Sequence, residues 1–148
     1  MPFRDILAPF NISSSGLGAE RLRMEVVANN IANANSTRTP QGGPFVRQDV
    51  IFATVLDERV RTGQAQPQTR FGGVESLGVV DDLTNDFVRV FQPAHPDAGA
   101  DGFVLFPNVQ LPLELVNLIT ANRGYEANLK VLQAFRQEAD QALLLIRT

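Results

Sequence analysis

The amino-acid sequence predicts an α+β protein in which long N- and C-terminal helices pack as a coiled coil, with a small β-rich lobe inserted between them. In both end segments, apolar residues recur at spacings of three and four, the pattern of an amphipathic helix. The central segment instead has short β-branched and aromatic runs separated by Gly- and Pro-rich pieces, which is typical of strands and turns. The predicted division is 1–39 for the N-terminal helix and an Asn-rich motif, 40–109 for the lobe, and 110–148 for the C-terminal helix.

The C-terminal helix is predicted over Leu111–Arg147. Read from Leu111 in alternating steps of four and three, nine of eleven positions are apolar, which is the seam of a coiled coil. The seam consists of Leu111, Leu115, Leu118, Asn122, Tyr125, Leu129, Leu132, Arg136, Ala139, Leu143 and Ile146. At its standard rise such a helix is about 55 Å long, whereas a globule of this chain length is roughly 30 Å across. The helix is therefore expected to need partners.

The N-terminal helix is predicted within the first thirty-five residues and is less regular. Its apolar positions repeat every seven residues, at Phe10, Leu17, Met24 and Ile31. Pro2 and Pro9 are expected to shorten the start of this helix, and Asn11 or Ser13 is expected to cap it.

Four asparagines lie within the seven residues Asn29–Asn35. Asparagine is a poor helix former because its side chain competes for backbone hydrogen bonds. One interpretation is a helix end that frays before a turn at residues 36–44. The other is a set of side-chain amides that bond neighbouring backbone at a crowded joint.

The central lobe is predicted to contain four short strands and two prominent loops. The strands are Val50–Leu56, Leu77–Val80, Phe87–Phe91 and Phe103–Phe106, and the loops are Thr62–Gly73, expected to be mobile, and Gln92–Gly102.

Bulk composition excludes several classes of function. A net charge of −3 argues against nucleic acid as the main partner, since phosphate binding needs a basic face. The absence of cysteine excludes disulfides and thiolate chemistry. No apolar run is long enough to span a membrane, and the first residues do not have the pattern of a Sec signal peptide. Export by another route stays open.

Residues suited to catalysis or metal binding are sparse. His95 is the single histidine, and no Gly-x-Ser-x-Gly motif is present. Asp97–Gly102 imitates the start of an EF-hand loop, but Gly99 and Asn108 stand where ligands are required. The sequence therefore predicts no catalytic residues, no cofactor and no metal. The alternative of a metal-dependent enzyme using carboxylates between Asp81 and Asp101 would require specific binding of divalent ions.

One stretch resembles a known family. Ser15–Thr37 is similar to the N-terminal motif of the bacterial flagellar axial proteins, which form the rod and hook. Further elements follow in the order expected of a proximal rod member, so that the resemblance covers nearly the whole chain. They are Gly42–Phe45, Val50–Phe52, Gln92–Pro96, Gly102–Val104, Pro107–Val109, Glu114–Asn117 and Arg123–Leu132.

The resemblance implies a structural subunit of the proximal rod, the drive shaft of the flagellar basal body, without enzymatic activity. Such subunits pass through the flagellar type III export apparatus without a cleaved signal and assemble in the periplasm as a helical tube that transmits torque. The implied partners are further copies of the chain, other rod proteins, the rod–MS-ring adaptor and the MS ring.

Residues of the two seams and of the Asn-rich motif are expected to carry assembly. They are Leu17, Met24, Asn29, Asn30, Ile31, Asn33, Asn35, Leu115, Leu118, Tyr125, Asn128, Leu129, Leu132, Leu143 and Ile146. Two alternatives are a cytoplasmic coiled-coil adaptor or chaperone, which would form a stable soluble dimer, and a distal rod subunit, for which a longer central region is expected.

Overall fold

A computed structural model describes residues 3–59 and 68–146 of the chain, with side chains described over 9–55 and 72–144. The elements in chain order are α1 (Phe3–Ala32), β1 (Gln48–Arg59), β2 (Gln68–Asp81), β3 (Val88–Phe91), β4 (Phe103–Phe106) and α2 (Leu111–Ile146). The prediction of an α+β fold with a long helix at each end and small sheets between them is confirmed.

The strands form two separate two-stranded sheets. β1 pairs with β2, and β3 pairs with β4 in antiparallel register, with Val88 opposite Phe106 and Phe91 opposite Phe103. The prediction of a loop at Thr62–Gly73 is wrong for residues 68–73, because these belong to β2. Residues 62–67 lie outside the described part. Pairing with β1 supplies backbone hydrogen bonds that outweigh the loop-like composition of this stretch.

Helix α1 begins earlier than the sequence predicts. Pro9 lies inside the helix, which starts at Phe3, so Asn11 and Ser13 are interior residues and not caps. A proline this near the start removes one hydrogen bond to the preceding turn, and the helix continues on both sides of it. Pro2 lies outside the described residues.

Two compact units divide the chain. The first comprises residues 1–22, 52–77 and 121–148, and the second comprises residues 23–51 and 78–120. In the first unit, α1 and α2 approach at glycines. A Cβ atom on Gly16 would lie 2.8 Å from Nδ2 of Asn128, and one on Gly124 would lie 3.1 Å from Cδ of Glu20. Both glycines therefore leave room for a side chain of the other helix.

Gly73 is expected to be intolerant of substitution. It has a φ of +120°, a conformation that other residues rarely adopt, and an added Cβ would overlap Oγ of Ser15. That hydroxyl accepts a hydrogen bond from the amide of Val74. Gly73→Ala should lower the free energy of unfolding by about 1–3 kcal/mol, measured by urea unfolding with circular dichroism.

Gly18→Ala is the matched control for Gly73→Ala. Gly18 lies in α1 with nothing within 4 Å of an added Cβ. Because alanine is the better helix former, this variant should be more stable than the parent by about 1 kcal/mol. Equal effects of the two substitutions would contradict the assignment of strain to Gly73.

Candidate assembly interface and polar joint

Over residues 111–119, at the start of α2, most apolar side chains are exposed. Glu114 is 1% exposed, whereas Leu113 is 56% exposed. Four more apolar residues in the same turns are exposed, namely Leu111, Leu115, Val116 and Ile119. This arrangement is the reverse of a surface helix in a self-contained protein. Contiguous exposed apolar surface marks an interaction site, so this part of α2 is a candidate interface.

The predicted seam of α2 is covered unevenly within a single chain. Leu118, Tyr125, Asn128 and Leu132 are half-buried, and they share their side of the helix with the buried Ala121. The side chain of Ile146 lies outside those described. The other described members of the predicted seam are exposed, namely Leu111, Leu115, Asn122, Leu129, Arg136, Ala139 and Leu143.

Of the four predicted apolar positions in α1, Phe10 is exposed, whereas Leu17, Met24 and Ile31 are half-buried. Val26 and Val27 beside them are buried. In the described side chains, the buried hydrophobic residues are Val26, Val27, Val104 and Ala121. Much of the apolar surface of both helices is therefore left for contacts outside the chain.

A cluster of polar side chains in the second unit connects the end of α1 to the beginnings of β1 and α2. We call it the polar joint, and its members are Asn30, Arg47, Gln48, Asp82, Asn108 and Glu114. Three of them, Asn30, Asn108 and Glu114, are buried. Because a buried polar group is costly unless it is hydrogen-bonded, each of these contacts is expected to matter for stability.

Asn30 pairs with the backbone of Gln48 as a neighbouring strand would. Its Nδ2 donates to the carbonyl oxygen of Gln48 at 2.8 Å, and its Oδ1 accepts from the amide of Gln48 at 2.9 Å. The same Nδ2 also donates to Oε2 of Glu114 at 3.3 Å. One fully buried side chain thus holds the first residue of β1 against the last turns of α1.

Asn108 holds the preceding residue in a similar way. Its Oδ1 accepts from the amide of Arg47 at 2.8 Å, and its Nδ2 donates to the carbonyl oxygens of Asp82 and Asn85 at 2.8 and 3.1 Å. The amide of Asp82 in turn donates to the carbonyl oxygen of Arg47 at 2.7 Å. Two asparagines from distant parts of the chain therefore fix consecutive residues at the start of β1.

The side chain of Arg47 supplies the charge at the centre of the joint. Its Nε donates to Oε1 of Glu114 at 2.8 Å, and its Nη1 lies 3.4 Å from Oδ2 of Asp82 and 3.3 Å from Oδ2 of Asp49. Burial opposes the charged form, but hydrogen bonds and charge attraction from Glu114 and Asp49 outweigh it, so the pKa of Arg47 is raised. Arg47 therefore stays cationic.

The rest of the Asn-rich motif forms local hydrogen bonds at the helix end. Asn33 Nδ2 donates to the carbonyl oxygen and to Oδ1 of Asn29, at 3.0 and 2.9 Å. Asn33 Oδ1 accepts from the Ser36 hydroxyl at 3.1 Å, and Asn29 Nδ2 donates to Oε1 of Gln48 at 3.3 Å. Asn35 is exposed. Of the two interpretations of the Asn-rich motif, the structure therefore has the one in which side-chain amides bond neighbouring backbone at a crowded joint.

Asp82 joins the polar joint to a turn that follows β2. Its Oδ1 accepts from the amide and the hydroxyl of Thr84 at 3.0 and 2.6 Å, and its Oδ2 accepts from Nδ2 of Asn85 at 2.9 Å. These hydrogen bonds, that of the Thr84 hydroxyl first, lower the pKa of Asp82 to about 2. The carboxylate form therefore holds the turn.

The acid titration of Asp82 is expected to have its midpoint near pH 2, measured by NMR of the carboxyl carbon. Since this pKa is below the ordinary aspartate value of 3.8, the contribution of Asp82 to stability is complete above about pH 5 and is lost as the pH falls toward 2. Thr84→Ala should raise the pKa, whereas Thr120→Ala, a change at a remote exposed threonine, should leave it unchanged. An unaltered midpoint in Thr84→Ala would contradict the assigned cause.

Five members of the polar joint, all except Asn30, were not identified as site residues from the sequence. Asn108 and Glu114 lie within elements that carry the family resemblance, and that signal could have drawn attention to them. Arg47 and Asp82 lack such a signal, because their partners are distant in sequence. In the described part of the chain, no three His, Cys, Asp or Glu side chains are grouped so that they could hold a metal ion.

His95, the single histidine, lies in a turn and its Nδ1 accepts a hydrogen bond from the amide of Asp97 at 3.1 Å. Asp97 in turn accepts a hydrogen bond from the Thr37 hydroxyl at 2.8 Å. The residues around the imidazole thus shape a turn. A helix both long and apolar enough to cross a lipid bilayer is not found in residues 3–59 and 68–146.

Two known families match separate parts of the chain. The family described as "Flagella basal body rod protein" matches residues 10–40, and "Flagellar basal body rod FlgEFG protein C-terminal" matches residues 100–145. The first range contains most of α1 with Asn30, and the second contains β4 and α2 with Asn108 and Glu114. The matched ranges thus hold the N-terminal seam, the C-terminal seam as far as Leu143, and the three buried members of the polar joint.

Three curated relatives that align over most of the chain are named flagellar basal-body rod protein FlgC. The relative from Borreliella burgdorferi is 36% identical over 96% of this chain and 98% of its own length. The relative from Yersinia enterocolitica is 40% identical over 86% of this chain and 87% of its own length. The relative from Salmonella typhimurium is 34% identical over 95% of this chain and 97% of its own length.

Proposed function

The chain belongs to the FlgC family of flagellar basal-body rod proteins and is a structural rod subunit; from this premise we propose that it forms the proximal rod by packing its two terminal helices with those of neighbouring subunits. The exposed apolar side chains at the start of α2 carry this proposal. A soluble monomer rarely exposes apolar surface of this extent, whereas an assembly subunit completes its core with its neighbours.

In this proposal the helices form a coiled coil within the helical tube. The predicted assembly residues then fall into two groups. Residues that are exposed in a single chain, such as Leu115, Leu129 and Leu143, pack directly against a neighbouring subunit. Half-buried residues, such as Leu17, Met24 and Tyr125, hold α1 and α2 in the arrangement that the neighbour meets. Many weak contacts of this kind share the torque that a drive shaft transmits.

The polar joint has an indirect role in assembly. Asn30 is fully buried, so it does not reach a neighbouring subunit. Through Gln48, Arg47 and Glu114 it fixes where α1 ends and where α2 begins, and so it sets the position of both seams. The segments 1–39 and 110–148 together act as the assembly domain, and 40–109 forms the lobe that faces other neighbours.

The proposed location is the periplasmic part of the basal body, reached through the flagellar type III export apparatus without a cleaved signal. The proposed partners are other rod proteins, the rod–MS-ring adaptor and the MS ring. Heterologous contacts between identical subunits that do not close into a ring generate a helical tube, which is the form a rod requires.

The decisive experiment is to purify basal bodies from the source cell and to probe them for this chain with an antibody, beside a strain that lacks the gene. We expect the chain in the rod fraction, and we expect rods and motility to be absent from the deletion strain. Normal rods and motility without the gene would overturn the proposal. In that case a soluble dimer in cell extracts would indicate a cytoplasmic adaptor.

A further inference from the structure

The turn after β2 presents a single apolar side chain on a rigid base. Leu83 is 85% exposed, the highest value for a large apolar residue in the described part of the chain. The turn beneath it is held by Asp82, which binds Thr84 and Asn85, and by Asn108, which binds the carbonyl oxygens at both ends. A turn whose backbone is held in this way loses little conformational freedom when it binds a partner.

Carboxylates flank this side chain. Asp81 and Asp86 are both exposed, and Asp81 Oδ1 accepts a hydrogen bond from Nε2 of Gln48 at 3.2 Å. Asp82 faces inward to Arg47 and is not available to a partner. The turn at 81–86 is therefore an apolar knob with an acidic group on either side.

The same unit contains a groove of about 640 Å³ between the turns at 37–44 and 96–101 and the sheet of β3 and β4. Pro44, Pro96, Phe103 and Leu105 form its apolar wall. Phe103 and Leu105 are themselves exposed. This volume lies within the range of sites that enclose small ligands or a few side chains.

Two arginines lie at the groove and retain hydrogen-bonding capacity. Arg38 is largely exposed and its Nη1 is 3.7 Å from Asp97 Oδ1, beyond hydrogen-bond distance. Arg89 is stacked 4.9 Å above the Phe103 ring and pairs with Asp101 at 2.7 Å. A guanidinium has five N–H donors, and exposed ion pairs of this kind are weak. Each arginine can therefore donate hydrogen bonds to a further carboxylate.

We propose that the turn at 81–86 of one subunit inserts Leu83 into this groove on a second copy of the chain, with Asp81 and Asp86 against Arg38 and Arg89. The knob is apolar and flanked by acids. The groove has an apolar wall, and its Arg38 and Arg89 lie beside Asp97 and Asp101 but keep N–H donors for the incoming carboxylates, so the two surfaces complement each other. Knob and groove are different surfaces, so the contact is heterologous and propagates from subunit to subunit. This inference rests on the proposed self-assembly and adds a contact outside the helical seams.

Cysteine cross-linking tests the contact directly, because the chain has no cysteine of its own. The variant Leu83→Cys/Leu105→Cys replaces the natural chain in cells, the cells are oxidised, and the chain is detected on a non-reducing gel. A ladder of multimers is expected from this double variant, while Leu83→Cys and Leu105→Cys alone stay monomeric. Leu83→Cys/Lys130→Cys is the matched control and should give at least tenfold less multimer.

Dimers from either single variant, or an equal ladder from the control, would overturn the contact.

Leu83→Glu is the second test, since a side chain this exposed can change with little effect on folding. It should reduce the chain in purified basal bodies at least tenfold, whereas Leu83→Met should be retained, and full retention of Leu83→Glu would also overturn the contact. If the unmodified chain is itself absent from basal bodies, the proposed function fails; if it is present without the 83–105 cross-link, only the contact fails.

Discussion

Glu114→Ala is expected to lower the free energy of unfolding by about 3–5 kcal/mol, the usual effect of breaking a buried ion pair from one side. The side chain of Glu114 is 2% exposed and that of Arg47 is 17% exposed, so little water can replace the lost carboxylate. Asn30 Nδ2 would also lose one of its acceptors. The measurement is urea unfolding of the purified chain followed by far-ultraviolet circular dichroism.

Glu138→Ala is the matched control, since it removes an exposed carboxylate from the same helix. Changes at such surface positions are usually within about 0.5 kcal/mol. The double variant Glu114→Ala/Arg47→Met should recover part of the loss, because it removes both charges at once. If Glu114→Ala proved as stable as the control, Glu114 would not hold the joint together.

The helices were predictable from sequence because their signal is long and periodic. Heptad spacing over residues 111–147 placed the start of α2 at Leu111, where the structure has it, and the β-branched and aromatic runs located all four strands. Amino-acid composition predicted secondary structure least well where strand pairing outweighs it. Residues 68–73 contain two glycines, yet they extend β2, because a paired strand satisfies backbone groups that a loop would leave to solvent.

The polar joint could be predicted only in part. Asparagine density indicated that side-chain amides bond backbone near residue 30, but the sequence does not say which backbone. The partner of Asn30 is 18 residues away at Gln48 and 84 residues away at Glu114. Such contacts depend on how the elements are brought together, and periodicity along the chain contains no information about them. Arg47 likewise has a partner 67 residues distant, at Glu114.

The sequence also could not predict which face of α2 packs against the rest of the chain. Counting heptads from Leu111 makes Leu115 a seam position and leaves Glu114 outside the seam. In the single chain, Glu114 points inward because Arg47 and Asn30 bind its carboxylate. That orientation turns Leu113 and Val116 outward. A charge pair that the sequence cannot reveal thus decides which apolar residues remain for a neighbour, and the joint and the candidate interface are consequences of one arrangement.

Asn30→Ala is expected to lower the free energy of unfolding by about 2–4 kcal/mol, since it leaves the amide and carbonyl of Gln48 without their side-chain partner in a part-buried place. Asn35→Ala is the control from the same motif and should have an effect within about 0.5 kcal/mol, because Asn35 is exposed.

Asn30→Asp separates hydrogen bonding from shape: it keeps an acceptor for the Gln48 amide but places a second carboxylate beside Glu114. It should therefore be at least as destabilising as alanine at neutral pH and should recover as the pH falls and the new carboxyl is protonated. Urea unfolding at several pH values measures all three variants, and equal stability of Asn30→Ala and Asn35→Ala would show that Asn30 does not hold β1 to α1.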